Sequence, residues 1–297
     1  MATDDTGHLQ IAGRQLRVSN LDKVMYPATG TTKMDVLQHY ITVWDHMRAH
    51  LADRPVTRVR WPHGVAGDHF FEKNLPSGAP DWLPSVTMKG PGGGSRSHSS
   101  VTYPVVGDLA HLIYLVNLGS LEFHVPQWRI DDQGQAKRPD RLVIDLDPGP
   151  GAGLTECAQV ALLLRDHIAR TGLVLVPVTS GSKGMQLYAD LEGEREAAEI
   201  TAVAKSLAQH LAKTHPDKVV WQMTKAARAN KIFFDWSQNT AAKTTICPWS
   251  LRGLDRPTVA TPRAWADVER GAHETDFLRQ VLIADVPTHA NGSHRHS

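Results

Sequence analysis

The chain reads as an α+β protein, one compact unit of two lobes with mixed strands and helices, on three observations. Short apolar runs of strand character end in carboxylates at Arg141-Leu-Val-Ile-Asp-Leu-Asp147 and at Lys231-Ile-Phe-Phe-Asp-Trp236. Stretches with apolar residues at helical spacing lie between them and before them, at 33–51, 155–171 and 197–213. No internal repeat and no obvious linker divides the 297 residues, a length that buries a substantial core either as one large domain or as two modest ones. The reading is a single catalytic unit over 1–286, followed by a polar tail, 287–297, expected to be disordered.

In chain order, residues 8–19 alternate around Ala12-Gly13 and predict a hairpin. A turn-rich stretch, 27–32, ends at Thr32, which can cap a helix over 33–51. Strands follow near 57–61 and 69–71. The Gly- and Ser-rich segment 89–100 predicts a flexible hairpin tip before a strand over 101–106, and 109–118 predicts a helix. Beyond the Asp145 strand come a helix over 155–171 that stops at Gly172, strands over 173–178 and 184–188, a helix over 197–213 and the strand 231–236.

No run approaches the roughly 18 apolar residues of a membrane span, and the polar start, Met1-Ala-Thr-Asp-Asp-Thr6, lacks a signal-peptide core. The expectation is a cytoplasmic protein with no membrane partner. Cys157 and Cys247, far apart, support neither a disulfide framework nor a structural zinc site. The net charge of +1 decides nothing, because binding depends on how charge is distributed. Between Lys225 and Arg256, six cations (Lys225, Arg228, Lys231, Lys243, Arg252, Arg256) stand against Asp235 and Asp255 alone, so this stretch can cradle phosphates.

Asp145 and Asp147 carry the chemistry. Residues two apart on a strand share a face, so both carboxylates converge on one point while Ile144 and Leu146 turn to the core. Hard divalent cations seek such oxygens, and two of them roughly 3.5–4 Å apart can clamp a phosphoryl displacement. The plain alternative is that the pair starts the Pro148-Gly149 turn. Asp235 ends a second strand, sharing its face with Phe233 while Ile232 and Phe234 take the other, and would supply a third carboxylate. Thr179-Ser-Gly-Ser-Lys-Gly184 combines glycines, hydroxyls and Lys183 as a phosphate-binding turn requires, although it is not a Walker A loop.

In these residues the chain resembles the primase-polymerase domain of bacterial DNA ligase D, within the archaeo-eukaryotic primase superfamily. The resemblance runs collinearly from Asp22-Lys-Val-Met-Tyr-Pro-Ala-Thr-Gly30 through Phe70-Phe-Glu-Lys73, Leu121-Glu-Phe-His-Val-Pro-Gln-Trp128, Asp145-Leu-Asp147 and Ser180-Gly-Ser-Lys-Gly184. It continues to Met223-Thr-Lys225, Phe234-Asp-Trp-Ser-Gln-Asn239 and Lys243-Thr-Thr-Ile-Cys-Pro-Trp-Ser-Leu-Arg-Gly253. It implies mixed sheets flanked by helices around a central cleft. No Lys-x-Asp-Gly adenylation motif occurs, so a stand-alone form is expected.

By that resemblance Asp145, Asp147 and Asp235 would ligate two divalent metal ions, manganese or magnesium, with His124 beside the incoming nucleotide. Ser180, Ser182, Lys183 and Arg252 would hold the triphosphate, with Gln186 and Lys243 nearby, and Arg228 and Lys231 would lie near the metals or the primer end. Lys23 and Lys33 match positions that hold a 5′-phosphate across a gap. Phe70, Phe71 and Lys73 match the nucleic-acid surface. Adjacent strand residues face opposite ways, so one phenylalanine, Phe71, is expected to stack while Phe70 enters the core. One departure stands out: Gln186 occupies the place of the family's usual histidine, and an amide neither carries charge nor transfers a proton.

The implied function is a ribonucleotide-preferring nucleotidyltransferase that extends primer 3′-OH ends at gaps or double-strand breaks in end joining, by two-metal-ion catalysis. Its implied partners are gapped or broken DNA, NTP or dNTP, the end-binding protein Ku and a separate DNA ligase, and its implied place is the nucleoid. The alternatives are a primase and a DNA-end-binding module of weak catalysis; an Asp-x-Asp phosphatase fits poorly because Pro148-Gly149 follows the pair.

Overall fold

Thr32 starts the first helix, α1 (Lys33–Leu51), through a reciprocal cap: its hydroxyl accepts the Asp35 N–H at 3.3 Å, and Asp35 Oδ2 accepts the Thr32 N–H at 2.7 Å. The computed structural model describes residues 6–89 and 100–286. Val36, Leu37, Tyr40, Val43, Met47 and Leu51 recur at helical spacing and are all buried. They pack with α2 (Leu109–Asn117), itself capped by Asp108, against a four-stranded antiparallel sheet ordered Thr245–Ile246, Ser120–Val125, Thr57–Arg60, Phe70–Glu72.

The second half is built on a six-stranded sheet. Its order is Val219–Val220, Ile232–Asp235, Arg141–Pro148, Met185–Asp190, Val176–Thr179, Thr261–Pro262, antiparallel throughout except for the first pair. Ile144 and Leu146 of the central strand, with Met185, Leu187, Ile232 and Phe234 beside them, form one apolar face. It is covered by α3 (Leu154–Ile168) and α4 (Ala197–Thr214), with α5 (Trp265–His273) packed on α3. Full burial of a side chain such as Phe234 stabilises the fold by about 1.5–3 kcal/mol.

The opposite face carries Val143, Val178 and Tyr188, which cluster with Ile246 of the four-stranded sheet and with Ala260. Asp145 and Asp147 share strand parity with Val143, so they lie on the face where the two sheets meet. The sheet arrangement therefore aims the carboxylates at the junction.

The α+β expectation holds, and so do the hairpin (Thr6–Ile11 with Arg14–Ser19) and the helices expected over 33–51, 109–118, 155–171 and 197–213. Two details differ. The strand expected over 173–178 begins only at Val176, because Gly172 ends the preceding 3-10 turn in a left-handed conformation and Val174 is 77% exposed. α5 and several two-residue strands are not among the expected elements. The arms of the Gly-rich hairpin, Ser85–Lys89 and Ser100–Pro104, pair up to Lys89 and Ser100. Its expected tip and the tail 287–297 lie outside the described residues. Among the described residues no helix is long and apolar enough to cross a membrane.

Candidate active site

Asp145 sits between two partners in the sheet, paired in register with Asp235 on one side and with Gln186 on the other. Asp147 pairs with Phe233, whose ring lies under the Arg228 guanidinium at 3.6 Å. The strand Ile232–Asp235 then turns through a short 3-10 segment, Trp236–Asn239, held to the central strand by Asn239, which accepts the Val143 N–H at 2.9 Å and donates to the Val143 carbonyl at 2.7 Å. That turn delivers Gln238 to the carboxylates. Its Nε2 donates to Asp145 Oδ2 at 3.2 Å and to Asp235 Oδ2 at 3.3 Å. Asp235 also accepts from the Ser237 N–H at 3.0 Å and from Lys243 Nζ at 3.3 Å.

Burial, then the charge of Asp147, pushes the Asp145 carboxyl up to about 7. Asp147 is raised as well, by burial first and then by Asp235, with Arg228 and Lys243 acting the other way. These carboxylates are neighbours, not a closed shell: among the described residues no group of three or more His, Cys, Asp or Glu is arranged to hold a metal ion as it stands. Amide and ammonium donors occupy the oxygens instead. The donor set, all hard oxygens whose mutual repulsion these donors offset only in part, nonetheless fits divalent cations such as magnesium or manganese.

The phosphate turn is held by its own hydroxyl and by a distant amide. Ser180 Oγ accepts the Ser182 and Gly184 N–H groups, each at 3.2 Å. Gln280 accepts the Gly181 N–H at 2.7 Å and donates to the Gly184 carbonyl at 3.1 Å. Gly184 presses so closely on the central strand that a Cβ there would lie 2.2 Å from the Leu146 carbonyl oxygen, and a Cβ on Gly181 would lie 2.7 Å from Arg252 Cγ. Both glycines therefore permit a close approach that no other residue allows.

A cleft of about 400 Å³ brings together His124, Asp145, Asp147, Ser180, Ser182, Lys183, Gln186, Arg228 and Arg252. Asp235 and Lys243 join it through Gln238 and their own ion pair. Gln186 is buried between Asp145 and Tyr188: Tyr188 Oη donates to its Oε1 at 2.8 Å, which leaves Nε2 to donate to Asp145 Oδ1 at 3.2 Å. The amide is thus fixed as a donor to the carboxylate.

Other expected site residues lie elsewhere. Lys231 is tied to the Pro216 carbonyl at 2.7 Å and does not line the cleft. Lys23 Nζ donates to the Pro62 carbonyl at 2.8 Å and Lys33 Nζ to the Ser19 carbonyl at 2.6 Å. Lys33 is buried, where sequence alone would put a helix-start lysine in solvent, and burial, then the charge of Lys23, pushes its ammonium down to about 8. Lys73 is exposed. The expectation that Phe70 enters the core is overturned: Phe70 is 50% and Phe71 59% exposed, because Phe70–Glu72 is an edge strand, paired only with Thr57–Arg60. The Phe71 ring lies 6.4 Å from that of His124.

Sequence reasoning missed Glu122, Gln238 and Gln280. Glu122 lies two residues before His124 and so shares its strand face, a signal present in Leu121-Glu-Phe-His124; its Oε2 accepts His124 Nε2 at 2.8 Å. Gln280 contacts the turn across nearly a hundred residues, and no local pattern announces it.

A sheet that gathers carboxylates beside a turn rich in glycine and hydroxyl groups is the arrangement a nucleotidyltransferase requires. The model of the LigD primase-polymerase domain matches residues 32–292, and the chain belongs to that family. It is 44% identical over 280 residues to the multifunctional non-homologous end joining DNA repair protein LigD of Mycobacterium tuberculosis, covering 93% of this chain and 35% of that protein. It is 46% identical over 256 residues to LigD of Mycolicibacterium smegmatis, covering 86% and 32%. The chain thus spans about a third of the length of the curated relatives it matches. The polymerase domain from Mycobacterium tuberculosis ligase D, solved in complex with DNA, superposes with a TM-score of 0.83 at 43% identity, over 91% of this chain and 92% of that one.

Proposed function

We propose that the protein extends primer 3′-OH ends at gaps or double-strand breaks in DNA, preferring ribonucleotides, as the synthetic step of end-joining repair. The single observation that carries this reading is the meeting of Asp145, Asp147 and the Asp235 pair with the Ser180–Lys183 turn and Arg252 around one cleft. Asp145, Asp147 and Asp235 would hold two divalent cations, manganese or magnesium, which when bound lower the pKa of the attacking hydroxyl and neutralise the triphosphate.

The chain's own groups do the rest. Lys183 and the turn hydroxyls bind the triphosphate, and Arg252 offers a planar fork to it. Gln186 and Gln238 orient Asp145, and His124 flanks the nucleotide. Arg228 serves the primer end, Phe71 stacks on the template base, Lys23 and Lys33 hold the far side of the gap through its 5′-phosphate, and Lys73 adds a cation to the nucleic-acid surface. Ku and a separate ligase are the proposed partners, at the nucleoid, by analogy with relatives whose names place them in non-homologous end joining.

Primer extension on a 5′-phosphorylated gapped duplex, wild type beside Asp145→Ala, tests the reading. Metal-dependent extension by the wild type alone supports it. DNA binding without extension by either protein would sink it in favour of an end-aligning module.

A further inference from the structure

Glu122 receives two hydrogen bonds and one ion pair. It lies on the strand Ser120–Val125, 7% exposed, with its carboxylate between that strand and the segment following Leu251. Oε2 accepts from His124 Nε2 at 2.8 Å, Oε1 accepts the Gly253 N–H at 2.9 Å, and Arg252 Nε lies 3.4 Å from Oε1 as an ion pair. Tyr26 anchors the same segment by donating to the Arg252 carbonyl at 2.8 Å. His124 and Arg252 both line the cleft, whereas Glu122 does not.

We propose that Glu122 is a positioning residue that sets which nitrogen of His124 and which edge of Arg252 meet the nucleotide, an inference that rests on the polymerase reading above. The chemistry is specific. An imidazole whose Nε2 donates to a carboxylate keeps Nδ1 as its remaining polar atom, an acceptor in the neutral ring. A guanidinium that meets the same carboxylate through Nε keeps its two Nη groups as the fork for phosphate. One buried anion therefore registers two cleft groups from separate segments against each other. Burial alone would raise the Glu122 carboxyl, yet the hydrogen bond from His124 and the charge of Arg252 outweigh it and hold the group below the usual carboxylate range. The anion is thus stable where it stands.

The first measurement needs no substitution: long-range proton–nitrogen spectra of the whole nucleotide-free protein should show His124 as the Nε2–H tautomer. An Nδ1–H tautomer overturns the proposal. The second compares the affinity for ATP, in manganese, of wild type, Glu122→Gln, His124→Ala and the double variant. Glu122→Gln keeps the volume and should weaken ATP about tenfold, and the double variant should lose little more than the larger single loss, since coupled residues are not additive. Multiplying losses, or wild-type affinity in Glu122→Gln, would overturn the role of Glu122 alone. A wild type that binds no ATP removes the polymerase reading and this proposal together.

Discussion

Asp145 and Asp235 stand directly opposite each other on neighbouring antiparallel strands, a cross-strand pair of like charge in a buried position. Such pairs destabilise a sheet, and here the opposition is softened by Gln238, which donates to both, by Gln186 on Asp145, and by the Ser237 N–H and Lys243 on Asp235. A divalent cation bound between the two would relieve this repulsion.

Asp145→Asn should therefore raise the stability of the metal-free protein while removing primer extension. The Asp145 carboxyl is raised in the fold, so its contribution is fully present below the unfolded carboxylate pKa and is lost as pH rises through about 7. The wild type should lose thermal stability across that window and the variant should lose less of it. Melting temperature against pH checks this, and an unchanged profile in the variant would contradict it.

Cation affinity should rise with pH over the same range. Asp145 must release its proton to act as a ligand, so manganese binding should strengthen up to about tenfold per unit below about pH 7 and level off above it. Calorimetric titration at several pH values measures the slope.

Lys33 gives a second, opposite handle. Its ammonium, pushed down to about 8, discharges in the fold before it does in the unfolded chain, so the associated stability is present above the unfolded lysine pKa and lost as pH falls through about 8. Preference for a 5′-phosphorylated over a 5′-hydroxyl gap should shrink as pH rises past that point. Lys33→Met should lack the preference at every pH in a competition binding assay.

Gln280→Ala should loosen the phosphate turn. Two hydrogen bonds vanish, leaving the Gly181 N–H and the Gly184 carbonyl without this partner. At about 1–3 kcal/mol for a buried group left unsatisfied, KM for the nucleotide should rise roughly tenfold or more. Steady-state kinetics would show the rise, accompanied by a melting temperature lower by about 2–4 °C per kcal/mol lost.

Away from the cleft, Asp140 is the counter-ion of a buried arginine. Arg54, 1% exposed, donates to both its oxygens at 2.6 and 2.8 Å, and Arg129 adds a third contact at 2.6 Å. Asp140→Ala leaves Arg54 uncompensated and should cost about 3–5 kcal/mol in urea unfolding. Burial would raise this carboxyl, but Arg54 and Arg129 outweigh it and hold it low, so its stabilising effect persists at neutral pH and fades only as pH falls below the usual carboxylate range.

What could be read in the sequence follows from the range of the signal. The period of two assigned Asp145 and Asp147 to one face and Ile144 and Leu146 to the other, and Thr32 at the end of a turn-rich stretch announced a helix start, although its partner Asp35 did not. Phe70 was misplaced because period two assumes that one face of a strand is covered, and here both phenylalanines are left open to solvent. Lys33 was readable in position but not in burial, since nothing local reveals that its ammonium ends on the Ser19 carbonyl. Gln238 and Gln280 act through contacts made only by the tertiary fold. The departure at Gln186 was visible, whereas its orientation by Tyr188 was not.

Gly184, set against the Leu146 carbonyl with no room for a methyl group, joins the triphosphate cradle to the carboxylate strand at the level of main chain. The spacing between the two halves of the chemistry is consequently a fixed ruler. A side chain introduced at Gly184 would accordingly push the turn bodily away from the strand of Asp145 and Asp147, since what it meets is main chain and not another side chain.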